Sequence, residues 1–286
     1  MSGARGKIGG TDIAAIMNAD PRHSAHDLWA WLTGKVEPQP DFDNEPMAIG
    51  REQEPLLRKW ASKTLDLKIS RATHRRVAEA GDVPFIVQID GIIEDGRVFE
   101  AKTVGLGGPA KTGDWGDPAT DRVPIVTIYQ THGEMMAAGP DCPEAVVGSH
   151  IGMRGRSLYF VSRNKDLCSF ILEAVCHFWI DHVLKDTPPE NSGLSMQIIK
   201  ILKRTPDKVV AMLPAPVTRF ETAQNVKQLA KEEYDQAWLE VAQQLGDAEY
   251  GETSDGRVIT YYKQTKKAHQ VKKSTFRVLR VKERKG

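Results

Sequence analysis

Apolar residues in the first third of the chain recur at helical spacing. Residues 12–17 form a short apolar turn after Gly9-Gly10-Thr11, and Ser24 with Asp27 forms a capping box in front of a second helix. A longer helix is predicted over residues 47–65, after a loop rich in Pro and acidic residues. This part of the chain is therefore predicted to be helical.

The middle of the chain changes to the two-residue period of β-structure. Apolar side chains alternate over residues 85–90, the turn signal Glu94-Asp95-Gly96 follows, and residues 98–104 form a second apolar run. These features predict a β-hairpin. Residues 105–121 are rich in Gly and Pro and predict a long loop, a kind of connection that is often functional.

The remaining pattern predicts a core followed by an accessory region. The later core elements are a helix over residues 125–138, strands over 145–151 and 157–161, and a helix over 165–184. Residues 185–193 are polar, contain two prolines and form the predicted linker. We predict an α/β fold with a mixed central β-sheet flanked by helices in residues 1–187. Residues 188–286 are predicted to form a C-terminal helix, over about 218–245, and a basic β-rich tail.

Charge is distributed unevenly along the 286 residues. The whole chain contains 39 Lys/Arg and 38 Asp/Glu, a net charge of +1, but residues 257–286 contain 11 Lys/Arg and one Glu, a local charge of +10. Residues 1–256 therefore carry −9. An acidic body with a basic tail favours a nucleic-acid partner. The net charge of the whole chain, which is close to zero, does not show this asymmetry. A solvated surface is the alternative explanation of such a run.

Composition and cysteine usage exclude several classes of protein. With 40% hydrophobic and 27% charged residues, the chain has a globular composition, unlike disordered or collagen-like sequences. It has no apolar run of membrane-spanning length and no signal-peptide h-region, so we expect a soluble intracellular protein. Cys142, Cys168 and Cys176 are too few for a disulfide framework or a four-thiolate metal site and are expected to be reduced thiols.

The predicted hairpin carries candidate chemistry. Period-two geometry places Glu100 and Lys102 on one face of a strand, and the turn can bring Asp90 beside Glu100. Neighbouring carboxylates repel and stay ionised mainly where a cation neutralises them, and such oxygen ligands suit Mg²⁺ or Mn²⁺. A lysine beside them could orient an attacking water or help to deprotonate it. This combination is typical of metal-assisted phosphodiester hydrolysis.

The string Asp…Glu-x-Lys is a weak signal by itself. Asp66-Leu67-Lys68 and Glu283-Arg284-Lys285 resemble parts of it elsewhere in the chain. Only Glu100-Ala101-Lys102 combines two apolar strands, a turn and an upstream acid. Solvated charges on a surface hairpin remain the alternative.

Two polar residues on apolar helix faces strengthen the hypothesis. Glu54 interrupts a stripe of apolar or small residues on the helix over 47–65, and a carboxylate in such a place needs a partner. Gln130 similarly lies in line with small and apolar residues of the helix over 125–138. The alternatives are an exposed or locally paired glutamate and a glutamine satisfied by backbone groups.

Five short motifs follow one another along residues 8–180. They are Ile8-Gly9-Gly10-Thr11-Asp12-Ile13, Gly50-Arg51-Glu52-Gln53-Glu54-Pro55, Ile89-Asp90-Gly91, Glu100-Ala101-Lys102 and Tyr129-Gln130. With these motifs in this order, the sequence resembles the YqaJ-type viral recombinase nucleases, which are relatives of the phage lambda exonuclease within the PD-(D/E)xK superfamily. The resemblance implies a PD-(D/E)xK nuclease core.

The resemblance assigns roles to the hairpin residues. It implies that Asp90, Glu100 and the Ala101 carbonyl bind Mg²⁺, for which Mn²⁺ can substitute. Lys102 would be the catalytic lysine, and Glu54 would hold a second metal or its water shell.

The resemblance also implies a binding site for DNA ends. Gln130 would support the metal site, and the helix that begins after Thr11 would present its N-terminus to a terminal 5′-phosphate. Arg5, Lys7 or Arg51 would add positive charge.

Three positions depart from the family pattern. Thr11 replaces a frequent serine and keeps the hydroxyl, and Ile89 stands where a proline usually precedes the catalytic aspartate. His132 replaces a second glutamine and is either a neutral donor or, as we favour, a surface histidine.

The implied function is a Mg²⁺-dependent exonuclease that degrades linear double-stranded DNA 5′→3′ and leaves 3′ single strands for phage-type recombination. The resemblance also implies a single-strand annealing protein as partner, a homotrimer, and the cytoplasm of a bacterial host as the location of a phage- or prophage-encoded protein. The alternatives are a structure- or sequence-specific endonuclease of the same superfamily and a non-catalytic DNA-end-binding scaffold. The basic tail, with interleaved aromatic residues, would bind duplex, the released strand or a partner protein.

Overall fold

The structure is a computed structural model, and it describes residues 6–36, 45–105, 114–190, 193–195, 198–199, 202–203, 205 and 209–263. The chain divides into two units, Met1–Lys203 and Arg204–Gly286. Arg5, part of the predicted loop over 105–121 and the basic tail beyond residue 263 lie outside the described residues.

Helices surround the sheet of the first unit. They are α1 (Ile13–Ile16, after a 3₁₀ turn over Gly10–Asp12), α2 (Ala25–Leu32), α3 (Glu45–Leu65), α4 (Ile125–Ala138) and α5 (Lys165–His177), which continues into a π-helical turn over Phe178–Val183. The capping box of α2 is confirmed, because the amide of Asp27 donates to Ser24 Oγ and the amide of Ser24 donates to Asp27 Oδ2, both at 3.1 Å.

A mixed sheet forms the centre of the first unit. The strands of this unit are β1 (Ile69–Arg71), β2 (His74–Arg76), β3 (Ile86–Gln88), β4 (Gly91–Ile93), β5 (Val98–Val104), β6 (Glu144–Ile151) and β7 (Gly155–Ser162). The five-stranded sheet has the order β1-β4-β5-β6-β7, in which β5 and β6 are parallel and the other neighbours antiparallel. The predicted mixed α/β architecture is confirmed.

The predicted hairpin is wrong in one respect. The hairpin partner of β5 is β4, with Gly91 opposite Phe99, whereas β3 pairs with β2 in a separate two-stranded sheet. The alternation over residues 85–90 therefore belongs to a different strand pair. The chain changes partner at Asp90, which lies between the two strands, and Gly91 fits here because a Cβ atom would lie 2.8 Å from Ile69 Cγ2.

The sheet separates two apolar clusters, and alternate residues of β5 face each of them. On one side, Phe99 packs with Leu57 and Ala61 of α3. On the other side, a larger cluster includes residues of α1, α2, α4 and α5. Because successive side chains of a strand point to opposite faces, Glu100 and Lys102 face α4.

The first unit continues beyond the predicted linker. The amide of Ser195 donates to Asp27 Oδ1 at 2.7 Å, and the amide of Lys203 donates to the main-chain oxygen of Lys35 at 2.9 Å. These contacts attach residues after 193 to α2 and the segment that follows it, which explains why the unit ends at Lys203.

The second unit contains a long helix and a small hairpin. Helix α6 (Pro214–Leu245) has no buried residue, and strands β8 (Tyr250–Glu252) and β9 (Val258–Thr260) pair antiparallel. The predicted C-terminal helix and the first predicted strand of the tail are thus present. The predicted strand around Phe276 and Val278 lies outside the described residues.

Within the described ranges, no helix combines the length and hydropathy that a bilayer span requires. Cys142, Cys168 and Cys176 are all free thiols, and the first two are buried.

Candidate active site

Asp90 is held at the point where the chain passes from β3 to β4. Its Oδ2 accepts a hydrogen bond of 3.0 Å from the amide of Ala101 on β5. This bond joins the two arms of the hairpin and brings the Asp90 carboxylate beside Glu100, as the sequence predicted. The close approach depends on the absence of a side chain at Gly91.

Glu100 and Lys102 form an ion pair on the face of β5 that meets α4. Lys102 Nζ lies 2.6 Å from Glu100 Oε1, and the Glu100 side chain is almost fully buried. Gln130 of α4 joins both residues: its Oε1 accepts from Lys102 Nζ at 2.6 Å and its Nε2 donates to Glu100 Oε1 at 2.7 Å. The hypothesis that Gln130 contacts this cluster is therefore consistent with its position.

A fourth acidic residue, Glu134, was missed by sequence reasoning. It is fully buried on α4, one turn after Gln130, and its Oε1 accepts from Gln130 Nε2 at 3.0 Å. The spacing of four residues from Gln130 on one helix face was a usable signal.

An arginine that the sequence analysis did not identify, Arg58, connects Glu54 to the cluster. Arg58, four residues later on α3, donates to Glu54 Oε1 at 2.9 Å and to the main-chain oxygen of Asp90 at 3.0 Å. The apolar stripe predicted on this helix is buried at Leu57 and Ala61, whereas Met47 is exposed. Glu54 is thus a locally paired glutamate at the edge of the acidic cluster.

Burial and mutual repulsion perturb the titration of these carboxylates. Burial, followed by repulsion from Glu100, raises the pKa of Asp90 to about 8. Burial and the nearby Glu100 raise the pKa of Glu134 well above its usual value. Burial alone would raise the pKa of Glu100, but the ammonium of Lys102 lowers it overall. Burial opposes the charge of Lys102, yet Glu100 raises its pKa, so Lys102 is an ammonium.

The donor set has the chemistry of a divalent-cation site. Glu100 Oε2 and Glu134 Oε2 are buried oxygens without a hydrogen-bond donor among the described residues. The carboxyl groups of Asp90, Glu100 and Glu134 all lie around the single ammonium of Lys102. A hard cation would supply the missing positive charge. No three Asp, Glu, His or Cys side chains in the described ranges are arranged as a complete ligand group. Lys102 and Gln130 instead occupy Glu100 Oε1.

The Gly9-Gly10 motif packs the N-terminal segment against α4. A Cβ atom on Gly10 would lie 3.0 Å from Val87 Cγ1 and 3.4 Å from Gln130 Cγ. The amide of Gly9 donates to Asp12 Oδ2 at 2.8 Å, so the chain itself uses this donor, and α1 is four residues long. The binding of a terminal 5′-phosphate after Thr11 stays a prediction.

A cleft of about 1040 Å³ opens beside the cluster. Thr11, Lys102 and Gln130 line it, together with residues of the loop before α4. Lys7 and Arg51 are exposed and do not line it. The cations that do are Lys102, Arg22 and Arg122. Sequence reasoning missed both arginines, because they lie in irregular segments where no periodic pattern marks them.

His132 is not a surface histidine, contrary to the sequence-based expectation. It is 2% exposed, its Nδ1 lies 2.8 Å from the main-chain oxygen of Ile128, and its Nε2 accepts from the amide of Asn164 at 3.1 Å. The burial arises because α4 is covered by α5 on this side, and Asn164 caps α5. Burial lowers the pKa of His132, which keeps the ring neutral.

Comparison with known proteins agrees with the motif order. Residues 4–141 match the sequence model of the YqaJ-like viral recombinase domain, a stretch that contains all five motifs. No curated protein sequence matches the chain.

Three solved structures are similar to the chain. Two are of LHK-Exo, the alkaline exonuclease of Laribacter hongkongensis, one of them in complex with dAMP. They are 15% and 17% identical, cover 63% of this chain and 89% of their own, and have TM-scores of 0.48. The third is a phage-related exonuclease from Haemophilus somnus 129PT, 13% identical over 63% of this chain and 96% of its own, with a TM-score of 0.43. Residues 4–141, which contain the Asp90, Glu100 and Lys102 cluster, thus match the YqaJ-like viral recombinase domain.

Proposed function

We propose that the protein is a Mg²⁺-dependent exonuclease that degrades linear double-stranded DNA 5′→3′ and leaves 3′ single strands. The observation that carries the proposal is the convergence of Asp90, Glu100 and Lys102 beside an open cleft, with Gln130 hydrogen-bonded to Glu100 and Lys102. The family match over residues 4–141 supports a role in recombination.

Asp90, Glu100 and the main-chain oxygen of Ala101 would hold the cation, and Glu54 would hold a second cation or its water shell. When bound, a divalent cation stabilises charge on phosphate oxygens and makes water a stronger nucleophile. Buried carboxylate oxygens without a donor, and the repulsion from Glu100 that helps to raise the pKa of Asp90, support this assignment. Mn²⁺ has the same preference for oxygen ligands and should substitute.

Lys102 would act as an ammonium. Its three donors can serve Glu100, Gln130 and a phosphate oxygen of the substrate at once, so the residue would orient the scissile group and oppose its charge. The raised pKa of Lys102 beside Glu100 favours this role over removal of a proton from water.

The test uses purified protein with 5′-phosphorylated linear duplex and with supercoiled circular DNA, in Mg²⁺ and in EDTA. We expect Mg²⁺-dependent release of nucleotides from the linear form only. A duplex labelled at one 5′ end or one 3′ end then gives the direction of digestion. Nicking of the circular form would identify an endonuclease, and tight binding without product would identify a scaffold.

The site assignment needs its own variants. Lys102→Ala and Asp90→Asn should each lower kcat by about 10²- to 10⁴-fold. Lys59→Ala is the matched control, since Lys59 is exposed on α3. Cleavage at the wild-type rate in Lys102→Ala would contradict the assignment.

The proposal includes a cellular setting. We propose action on DNA ends in the cytoplasm of a bacterial host, as a homotrimer, with a single-strand annealing protein that receives the 3′ strand. Light scattering of the full chain and co-purification with a phage annealing protein test these two points.

A further inference from the structure

Helix α4 begins at the cleft without a cap. Its N-cap residue is Pro124, no side chain caps the helix, and its first turn contains no acid. The first helical N–H groups, of Ile125 and Val126, have no acceptor among the described residues, and both residues line the cleft. A helix N-terminus with unpaired N–H groups carries partial positive charge and attracts anions.

Trp115 adds a further unpaired donor beside the cleft. It lines the cleft, is 4% exposed and packs against Tyr159 with ring centroids 5.0 Å apart. Its indole Nε1 has no hydrogen-bond acceptor in the described part of the chain. Buried donors are almost always paired in folded proteins, so an unpaired one beside a cleft calls for an acceptor from outside the chain.

Arg122 brings a full positive charge to this wall. Its side chain is exposed, lines the cleft and forms no ion pair with the described residues. Its stem lies over Gly116, where a Cβ atom would come within 2.6 Å of Arg122 Cβ. The other arginine of the cleft, Arg22, is paired with Asp20 at 3.1 Å.

The loop that carries Trp115 and Arg122 is hydrogen-bonded to β7. The amide of Ala119 donates to the main-chain oxygen of Leu158 at 2.8 Å, and the amide of Phe160 donates to that of Thr120 at 3.0 Å. Tyr159 Oη donates to the main-chain oxygen of Gly116 at 3.2 Å. The position of Trp115 and Arg122 is therefore set by the sheet.

We propose that the N-terminus of α4, Arg122 and Trp115 together bind a backbone phosphate of the DNA strand that enters the cleft. N–H groups and a guanidinium fork match phosphate oxygens, and contacts of this kind position DNA without reading its sequence. This phosphate site shares the cleft with Lys102 but uses none of the residues predicted to bind the terminal 5′-phosphate. It rests on the proposed function for the identity of its ligand.

The first test follows the indole N–H of Trp115 by ¹H–¹⁵N NMR of the full chain in EDTA. The Trp115→Phe variant keeps the ring that packs on Tyr159 and identifies the signal among those of the six tryptophans. Addition of a 5′-phosphorylated hairpin duplex should move this signal downfield, whereas Arg122→Gln should weaken the response. A bound duplex that leaves the Trp115 signal unmoved would overturn the proposal.

The second test measures binding and cleavage of the same duplex. Arg122→Gln should raise Kd and KM about tenfold and lower the salt dependence of log Kd by about one. Trp115→Phe should raise both about threefold. Arg156→Gln and Trp31→Phe are controls, since both residues are exposed and neither lines the cleft.

The outcomes separate this proposal from the nuclease proposal. Wild-type KM and Kd in both Arg122→Gln and Trp115→Phe, with cleavage intact, would overturn the phosphate site and leave the nuclease standing. A Trp115 signal that responds to duplex in a protein that never cleaves it would support the phosphate site and contradict the nuclease. A protein that neither binds nor cleaves duplex would contradict both.

Discussion

Lys102 and Gln130 are joined by a hydrogen bond of 2.6 Å from the ammonium to the amide oxygen. The amide nitrogen is thereby directed at Glu100, to which it donates at 2.7 Å. One glutamine thus fixes the orientation of the two neighbouring residues of opposite charge, because a reversed amide would place two donors or two acceptors in contact.

Gln130→Glu should therefore be harmful although it keeps the size of the side chain. The new carboxylate still accepts from Lys102 but cannot donate to Glu100 and adds a negative charge to an acidic cluster. We expect kcat for duplex digestion to fall on the order of 10²-fold, measured with the end-labelled duplex. Gln88→Glu, at an exposed position of β3, is the control and should cleave normally.

The raised pKa of Asp90 predicts a pH-dependent cost in stability. Its folded-state pKa of about 8 lies above the ordinary value of 3.8, so the protonated form is favoured on folding. This contribution is complete below the ordinary pKa and is lost as the pH rises through 8. Between pH 5 and 8 in EDTA, the wild type should lose about 4 kcal/mol of unfolding free energy relative to Asp90→Asn. Urea denaturation of both proteins measures this difference, and equal slopes would contradict it.

Magnesium should stabilise the protein more strongly at high pH. Carboxylate ligands must be deprotonated to bind a cation, and Asp90 has to release its proton first. At Mg²⁺ of about 100 times Kd the gain should approach 2.7 kcal/mol, with a larger rise in Tm at pH 8.5 than at pH 6.5. NaCl at matched ionic strength controls for screening. Asp90→Asn should abolish most of the rise, and a rise that is unchanged in this variant would place the cation elsewhere.

His132 predicts a pH dependence of the opposite sign. Burial lowers the pKa of His132 below the ordinary 6.5. Its contribution to the unfolding free energy is therefore present above pH 6.5 and is lost as the pH falls, because the unfolded chain binds a proton more readily than the folded ring does. As the pH falls from 7.5 to 5.5, the wild type should lose unfolding free energy relative to His132→Gln, as urea denaturation of both proteins would show. Taking the difference between the two proteins cancels the carboxylate contributions. A constant difference across this range would show that His132 does not titrate as described.

Two glycines of the motifs should respond oppositely to alanine. Gly91→Ala introduces a Cβ atom 2.8 Å from Ile69 Cγ2 and 3.3 Å from Phe99 Cβ, so it should lower the unfolding free energy by about 1–3 kcal/mol. Gly50→Ala, on α3, has nothing within 4 Å of the new atom and should raise it by about 0.5–1 kcal/mol. Thermal unfolding of both variants measures the contrast. Gly91→Ala at wild-type stability would argue against the close passage of the chain between β1 and β5.

Sequence alone predicted the elements of the fold better than their pairing. The alternation of Phe85, Val87 and Ile89 with their neighbours predicted that these three side chains are buried on one face of a strand. Their partner was not, because β2 reads His74-Arg75-Arg76 and carries no apolar signal. Pairing between strands is decided by tertiary packing, which a local pattern does not encode.

The candidate site shows the same division between local and distant information. Asp90, Glu100 and Lys102 were found from one hairpin motif. Arg58 and Glu134 act through helices that meet the strand only in the folded chain, although each lies four residues from a predicted site residue. The two arginines of the cleft, Arg22 and Arg122, lie in irregular loops, where nothing in the residue pattern distinguishes them from ordinary surface arginines.

The parallel pairing of β5 with β6 has a consequence for chain synthesis. The strand that carries Glu100 and Lys102 is completed on one side by β6 and covered by α4, both of which follow it in sequence. A nascent chain that ends before Ile151 therefore contains Asp90, Glu100 and Lys102 but lacks part of the strand that completes their sheet. The proposed nuclease activity would therefore arise only after the first unit has been synthesised and has closed.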